Sequence, residues 1–126
     1  MQVLVDSSVW VDYFRGGGNS DALDTLIDEN LVVINDLILS ELLPFMMVRN
    51  QRKLIGLLKS IRNAPLNIVW EQITDFQYRC LRKGINGIGI PDLIIAQNAI
   101  QNHCEIFSLY SHFRMMRKAI KLNLME

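Results

Sequence analysis

Cysteine, proline and unbroken apolar runs are all scarce in this 126-residue chain, which has two cysteines and three prolines. Cys80 and Cys104 stand alone, without CxxC or CxxH spacing. That argues against a disulfide framework and suggests buried thiols in a reducing cytoplasm. Net charge is also missing, since 13 basic residues balance 13 acidic ones. Binding of nucleic acid by bulk charge is thereby disfavoured, although local basic patches around an acidic site remain open. The richest apolar stretches are interrupted by Asp36, Glu41 or Asp92, so none is long enough to span a membrane. Met1 to Asp6 lacks the basic-then-apolar pattern of a secretion signal. The two histidines, His103 and His112, show no ligand pairing, so zinc is not expected and both are read as surface residues or caps. Repeats, linkers and low-complexity tracts are absent.

Half of the residues are hydrophobic, enough for one domain over 1–126 with a real core. Val3-Leu4-Val5 and Leu31 to Ile34 are wholly apolar, as in central parallel strands covered on both faces. Leu66 to Val69 and Glu105 to Leu109 are expected as third and fourth strands, with Leu122 to Leu124 a short fifth. Helices are expected at Val9–Phe14, Asn19–Glu29, Leu37 to about Val48, Arg52–Ile61, Glu71–Lys83, from Pro91 onward, and Ser111–Ile120. Ser7 or Ser8 is the expected cap of the first, and Asn35 or Asp36 of the third. Pro44 lies inside the third and should kink it beside Glu41. Such alternation predicts an α/β fold, a parallel sheet with helices on both faces. Ligand sites in these sheets lie outside the carboxyl ends of the strands.

Three acids stand where an apolar residue would have been the simple choice. Asp6 follows Val-Leu-Val, Glu41 lies between Ile38-Leu39 and Leu42-Leu43, and Asp92 precedes Leu93-Ile94-Ile95. Asp92 also sits in the first turn of its helix, behind Pro91, where the dipole favours an anion and a plain cap would suffice. Glu41 and Asp92 lie early in helices that should begin at the edge where Asp6 ends its strand, so the three can converge. Carboxylates crowded together repel, and a divalent cation reverses that. An oxygen-only donor set suits Mg²⁺ or Mn²⁺, which lowers the pKa of a bound water and stabilises charge on a phosphodiester. Ser8 either orients Asp6 by a hydrogen bond or caps the helix.

Val5-Asp6-Ser7-Ser8-Val9-Trp10, Ser40-Glu41-Leu42-Leu43 and Ile90-Pro91-Asp92-Leu93-Ile94-Ile95-Ala96 resemble, in order, the three signature blocks of PIN-domain ribonucleases. Size and order are similar in particular to the VapC toxins of toxin–antitoxin pairs. The resemblance implies a three-layer α/β/α sandwich and a Mg²⁺- or Mn²⁺-dependent endoribonuclease, with Asp6, Glu41 and Asp92 as catalytic metal ligands. It also implies cellular RNA as substrate, a small antitoxin that occupies the active-site groove, and a homodimer. One block departs from the pattern. The family usually has a fourth acid in Thr-x-Asp-x-x-Phe, and here Ser108-Leu109-Tyr110-Ser111-His112-Phe113 puts Tyr110 in its place. A tyrosine hydroxyl is a poor Mg²⁺ ligand, which leaves one or two metals open. Ser108 or Ser111 is left to hold a metal-bound water, and Tyr110 to contact substrate at the rim. The alternative is a catalytically weakened PIN-like domain that acts mainly as a protein-interaction module. The clusters Arg49-Arg52-Lys53, Arg79-Arg82-Lys83 and Arg114-Arg117-Lys118-Lys121 either grip RNA phosphates or are ordinary solvated faces.

Overall fold

Two apolar tripeptides, a third that opens on Glu105, and one polar pair make the sheet. The computed structural model describes residues 1–126. Val3–Val5 (β1), Val32–Ile34 (β2), Arg62–Asn63 (β3) and Glu105–Phe107 (β4) pair in parallel in the order β3-β2-β1-β4. Seven helices complete the α/β/α arrangement: Ser7–Phe14 (α1), Ser20–Asp28 (α2), Asp36–Val48 (α3), Arg52–Ser60 (α4), Trp70–Arg82 (α5), Ile90–Gln101 (α6) and His112–Met116 (α7). Every residue of β1 is buried, as a strand flanked by β2 and β4 and covered on both faces requires. The chain winds outward from β1 through β2 to β3, then returns by α5 and α6 to place β4 on the other side of β1. The winding reverses at β1, so its carboxyl end is the switch point at which such sheets take ligands.

A cluster of 31 buried residues forms the core. α6 contributes Leu93 to Ala96 and Ala99, and Trp10 of α1 is fully buried. None of the helices is long and apolar enough to cross a membrane. Buried Asn35 caps α3, accepting from the Ile38 N–H at 2.9 Å, and α3 then continues through Pro44 to Val48.

Several sequence expectations are corrected. Neither Ser7 nor Ser8 caps α1; Asp6 stands at the N-cap position without a side-chain cap bond, and the Ser8 hydroxyl turns to Asp6 instead. No strand forms at Leu66–Val69. β3 comes earlier, and the Ala64 N–H extends its pairing to Ile34 O at 2.7 Å. Pro65 has no N–H to continue a ladder, and the backbone beyond it is bound by side chains of α6. Gln97 accepts from Val69 N and donates to Val69 O, both at 3.1 Å, and Gln101 donates to Asn67 O at 2.9 Å. The last helix stops at Met116 and gives way to turns through Ala119. The expected fifth strand is a single bridge between Leu124 and Ile106.

Candidate metal centre

Asp6 leaves the carboxyl end of β1 with only 2% of its surface exposed. Burying a carboxylate is costly unless its oxygens find partners, and two hydroxyls supply them. Ser8 Oγ donates to Asp6 Oδ2 at 3.0 Å, and Ser108 Oγ, just past β4, donates to the same oxygen at 2.9 Å. Each hydroxyl is itself oriented by a backbone donor: Leu109 N–H to Ser8 Oγ at 3.0 Å and Tyr110 N–H to Ser108 Oγ at 3.1 Å. Asp6 Oδ1 receives no protein hydrogen bond and is not a buried orphan, so it opens toward the site.

Asp92 lies in the first turn of α6, with Gly89 at the N-cap position and Pro91 before it. Its side chain keeps 19% of its surface, and its Oδ2 lies 2.7 Å from His112 Nδ1. Residue spacing gave no sign of this pair, because it joins two helices 20 positions apart. His112 lies at the surface as expected, its side chain 42% exposed, and in addition bonds Asp92 across the two helices. His103 is exposed, at a positive φ of 53° just beyond α6.

Glu41 stands one and a half turns into α3. The residue as a whole is exposed, yet its carboxyl pKa is raised, first by partial desolvation and then by the fields of Asp6 and Asp92. Asp6 and Asp92 are thus within electrostatic reach of Glu41. The three do not close into a tight ligand cluster, and no Lys or Arg forms an ion pair with any of them. Carboxylates without a Lys or Arg partner fit a hard divalent cation.

A raised carboxyl pKa carries a stability sign. The ionised group penalises the fold above its folded-state pKa, and the penalty disappears as pH falls below the unfolded value. Glu41→Gln should therefore stabilise the metal-free protein at neutral pH, by less than ~1 kcal/mol because the site is solvated. Urea unfolding in EDTA reads this directly; a mutant less stable than wild type contradicts it.

Two recesses lie near the site, one at Glu41 and the other past Ser108. One, of about 260 Å³, is lined by Glu41 with Val11, Phe14, Arg15, Phe45 and Arg49, the Arg49 guanidinium lying 4.2 Å from the Phe45 ring centre. The other, of about 550 Å³, includes Ser108, Leu109, Tyr110 and Arg114. Tyr110 is 51% exposed at its rim, with its ring stacked on His112 at 5.9 Å. Three other basic residues have partners: Arg79 pairs with Asp75, Arg117 with Glu126, and Arg82 donates to the Tyr78 hydroxyl. The sequence reading had not singled out Arg15, an isolated charge that only the fold places beside Glu41.

The family profile described as PIN domain matches residues 3–118. The fold is similar to that of VapBC2 from Rickettsia felis bound to a promoter DNA fragment, with a TM-score of 0.78 at 20% identity, over 99% of this chain and 98% of that one. DNA-bound VapBC from Salmonella typhimurium gives 0.76 at 13% identity, over 99% and 97%. VapBC-1 from nontypeable Haemophilus influenzae gives 0.74 at 14% identity, over 100% and 98%. No curated protein sequence matches the chain.

Proposed function

The chain belongs to the PIN-domain family, and from that membership we propose that it is a divalent-metal-dependent endoribonuclease acting as a VapC-type toxin. The observation that carries the reading is the set of three acids, unpaired by Lys or Arg, at the switch point of the sheet. Asp6 and Asp92 would hold Mg²⁺ or Mn²⁺, with Glu41 acting directly or through a water. The bound ion supplies a water of lowered pKa and offsets negative charge at the phosphodiester. Ser8 and Ser108 hold Asp6 in one orientation, as partners of metal ligands do. The recess at Glu41 offers Arg15 and Arg49, and the recess past Ser108 offers Arg114, for the phosphates of an RNA strand. Purified protein should cut total RNA with Mg²⁺ present and stop when EDTA is added. Cleavage that persists in EDTA sinks the metal-dependent reading.

A cognate antitoxin belongs to the same proposal. The solved relatives are VapBC complexes, and the apolar recess beside Glu41 suits an inserted side chain of a small partner. We further propose that residues 1–126 act as one domain in the cytoplasm, where Cys80 and Cys104 stay free, and that the chain is a homodimer. Support for the dimer comes from Trp70, Tyr78, Leu81 and Ile90, large apolar side chains exposed on α5 and the start of α6. Light scattering that finds a monomer at high concentration rejects it. The second reading, a weakened domain that mainly binds a partner, is favoured by Tyr110 at the fourth-acid position. Retained antitoxin binding without any RNA cleavage would select it.

A further inference from the structure

The turn from Ser108 to His112 reaches both buried-edge acids at once. Ser108 at its start donates to Asp6 Oδ2 at 2.9 Å, and His112 at its end lies 2.7 Å from Asp92 Oδ2. Between them Tyr110 lays its ring over the imidazole at an interplanar angle of 26°. The Tyr110 N–H donates to Ser108 Oγ. A carboxylate can only accept, so His112 Nδ1 carries the hydrogen in this pair. In both acids the Oδ2 is the bonded oxygen and the Oδ1 has no protein partner.

We propose that His112 is a positioning residue for the metal centre: its Nδ1–H fixes the carboxylate of Asp92 so that the opposite oxygen faces the cation. The proposal rests on the metal-dependent reading above and adds a residue to it. Three observations favour positioning over surface decoration. The contact, at 2.7 Å, is at the short end of the N–H···O range, where charge-assisted bonds fall. The imidazole also lies beside the Tyr110 ring, with centroids 5.9 Å apart and planes inclined by 26°. Finally, the same turn fixes Asp6 through Ser108, so one short segment sets the angle between two ligands that lie 86 positions apart in sequence, from 6 to 92. Outer partners of this kind hold the rotamer of a ligand and make metal binding tighter.

The experiment is calorimetric titration of the full chain with Mn²⁺ alone, for wild type, His112→Leu and His112→Asn. Leucine keeps bulk beneath Tyr110 and removes the donor, whereas the asparagine amide nitrogen can occupy the place of Nδ1. His112→Leu should bind Mn²⁺ ~10–100-fold more weakly, the usual loss for an outer-shell partner, and His112→Asn should recover most of it. RNA cleavage provides a second readout. The KM for RNA should be unchanged in His112→Leu, and kcat should rise back toward wild type as Mn²⁺ is raised to saturation. Unchanged or tighter Mn²⁺ binding by His112→Leu overturns the proposal, as does His112→Asn behaving like His112→Leu. Should His112→Leu fail to fold, His112→Asn decides alone, and wild-type-like affinity is then required. Absence of Mn²⁺ binding by wild type is a separate outcome, which removes the metal-dependent reading itself.

Discussion

Asp92→Asn should keep the fold and lose RNA cleavage by ~100-fold or more, because a bound cation supplies several kcal/mol to the reaction and each 1.4 kcal/mol is tenfold in rate. The substitution keeps the shape of the side chain and one oxygen but removes the charge that holds a hard cation. Its structural cost is small. An anion in the first turn of α6 is worth ~0.3–1 kcal/mol against the dipole, and losing it also relieves Glu41 of one of the two like charges that raise its pKa. Asp6→Asn should act the same way on cleavage with a larger cost to the fold. Asp6 is almost wholly buried, and its Oδ2 accepts from both Ser8 and Ser108. Circular dichroism separates the two effects. A folded Asp92→Asn protein that cleaves as wild type does would remove Asp92 from the site.

The second large effect lies away from the chemistry. Asn98→Leu should lower stability by ~3 kcal/mol or more, since each buried polar group left unpaired costs ~1–3 kcal/mol. Asn98 is 1% exposed. Its Oδ1 accepts from Asn35 Nδ2 at 3.0 Å, and its Nδ2 donates to Ala64 O at 3.2 Å and Pro65 O at 3.1 Å. Leucine has the same branched shape with bulkier methyl groups, so no cavity forms and the orphaned groups dominate. Asn35 is also the cap of α3, so the loss reaches the helix that carries Glu41. Urea unfolding reads the change as a shift in midpoint; a loss below about 1 kcal/mol would mean that these carbonyls find other partners.

Those same buried amides mark where sequence reading stopped. The apolar tripeptides of β1 and β2 were legible, because a wholly apolar run before a polar break has few uses other than a covered strand. Asp6 and Asp92 were legible for the complementary reason, a lone carboxylate against an apolar background. Leu66 to Val69 has the same apolar appearance as a strand, yet its backbone bonds go to Gln97 and Gln101. Nothing local distinguishes a ladder partner from a glutamine side chain arriving 28 residues later. Polar residues on the buried face of α6 were the available signal, since Gln97 and Asn98 interrupt an otherwise apolar helix and a buried amide must be bonded to something. His112 was missed for a related reason. Its partner is on another helix, and only the packing of α7 against α6 brings the two together.

We expect Asp6, Glu41 and Asp92 to gather around one divalent cation. Anomalous diffraction from crystals soaked in Mn²⁺ tests it most directly, because the signal locates the ion without reference to activity. A peak is expected at the carboxyl end of β1, with carboxylate oxygens of Asp6 and Asp92 at about 2.1 Å, the short distance that small hard cations demand. Glu41 should lie beside it, directly or across one water. No peak there at saturating Mn²⁺, or a peak held by other side chains while these three acids stay apart, would contradict it.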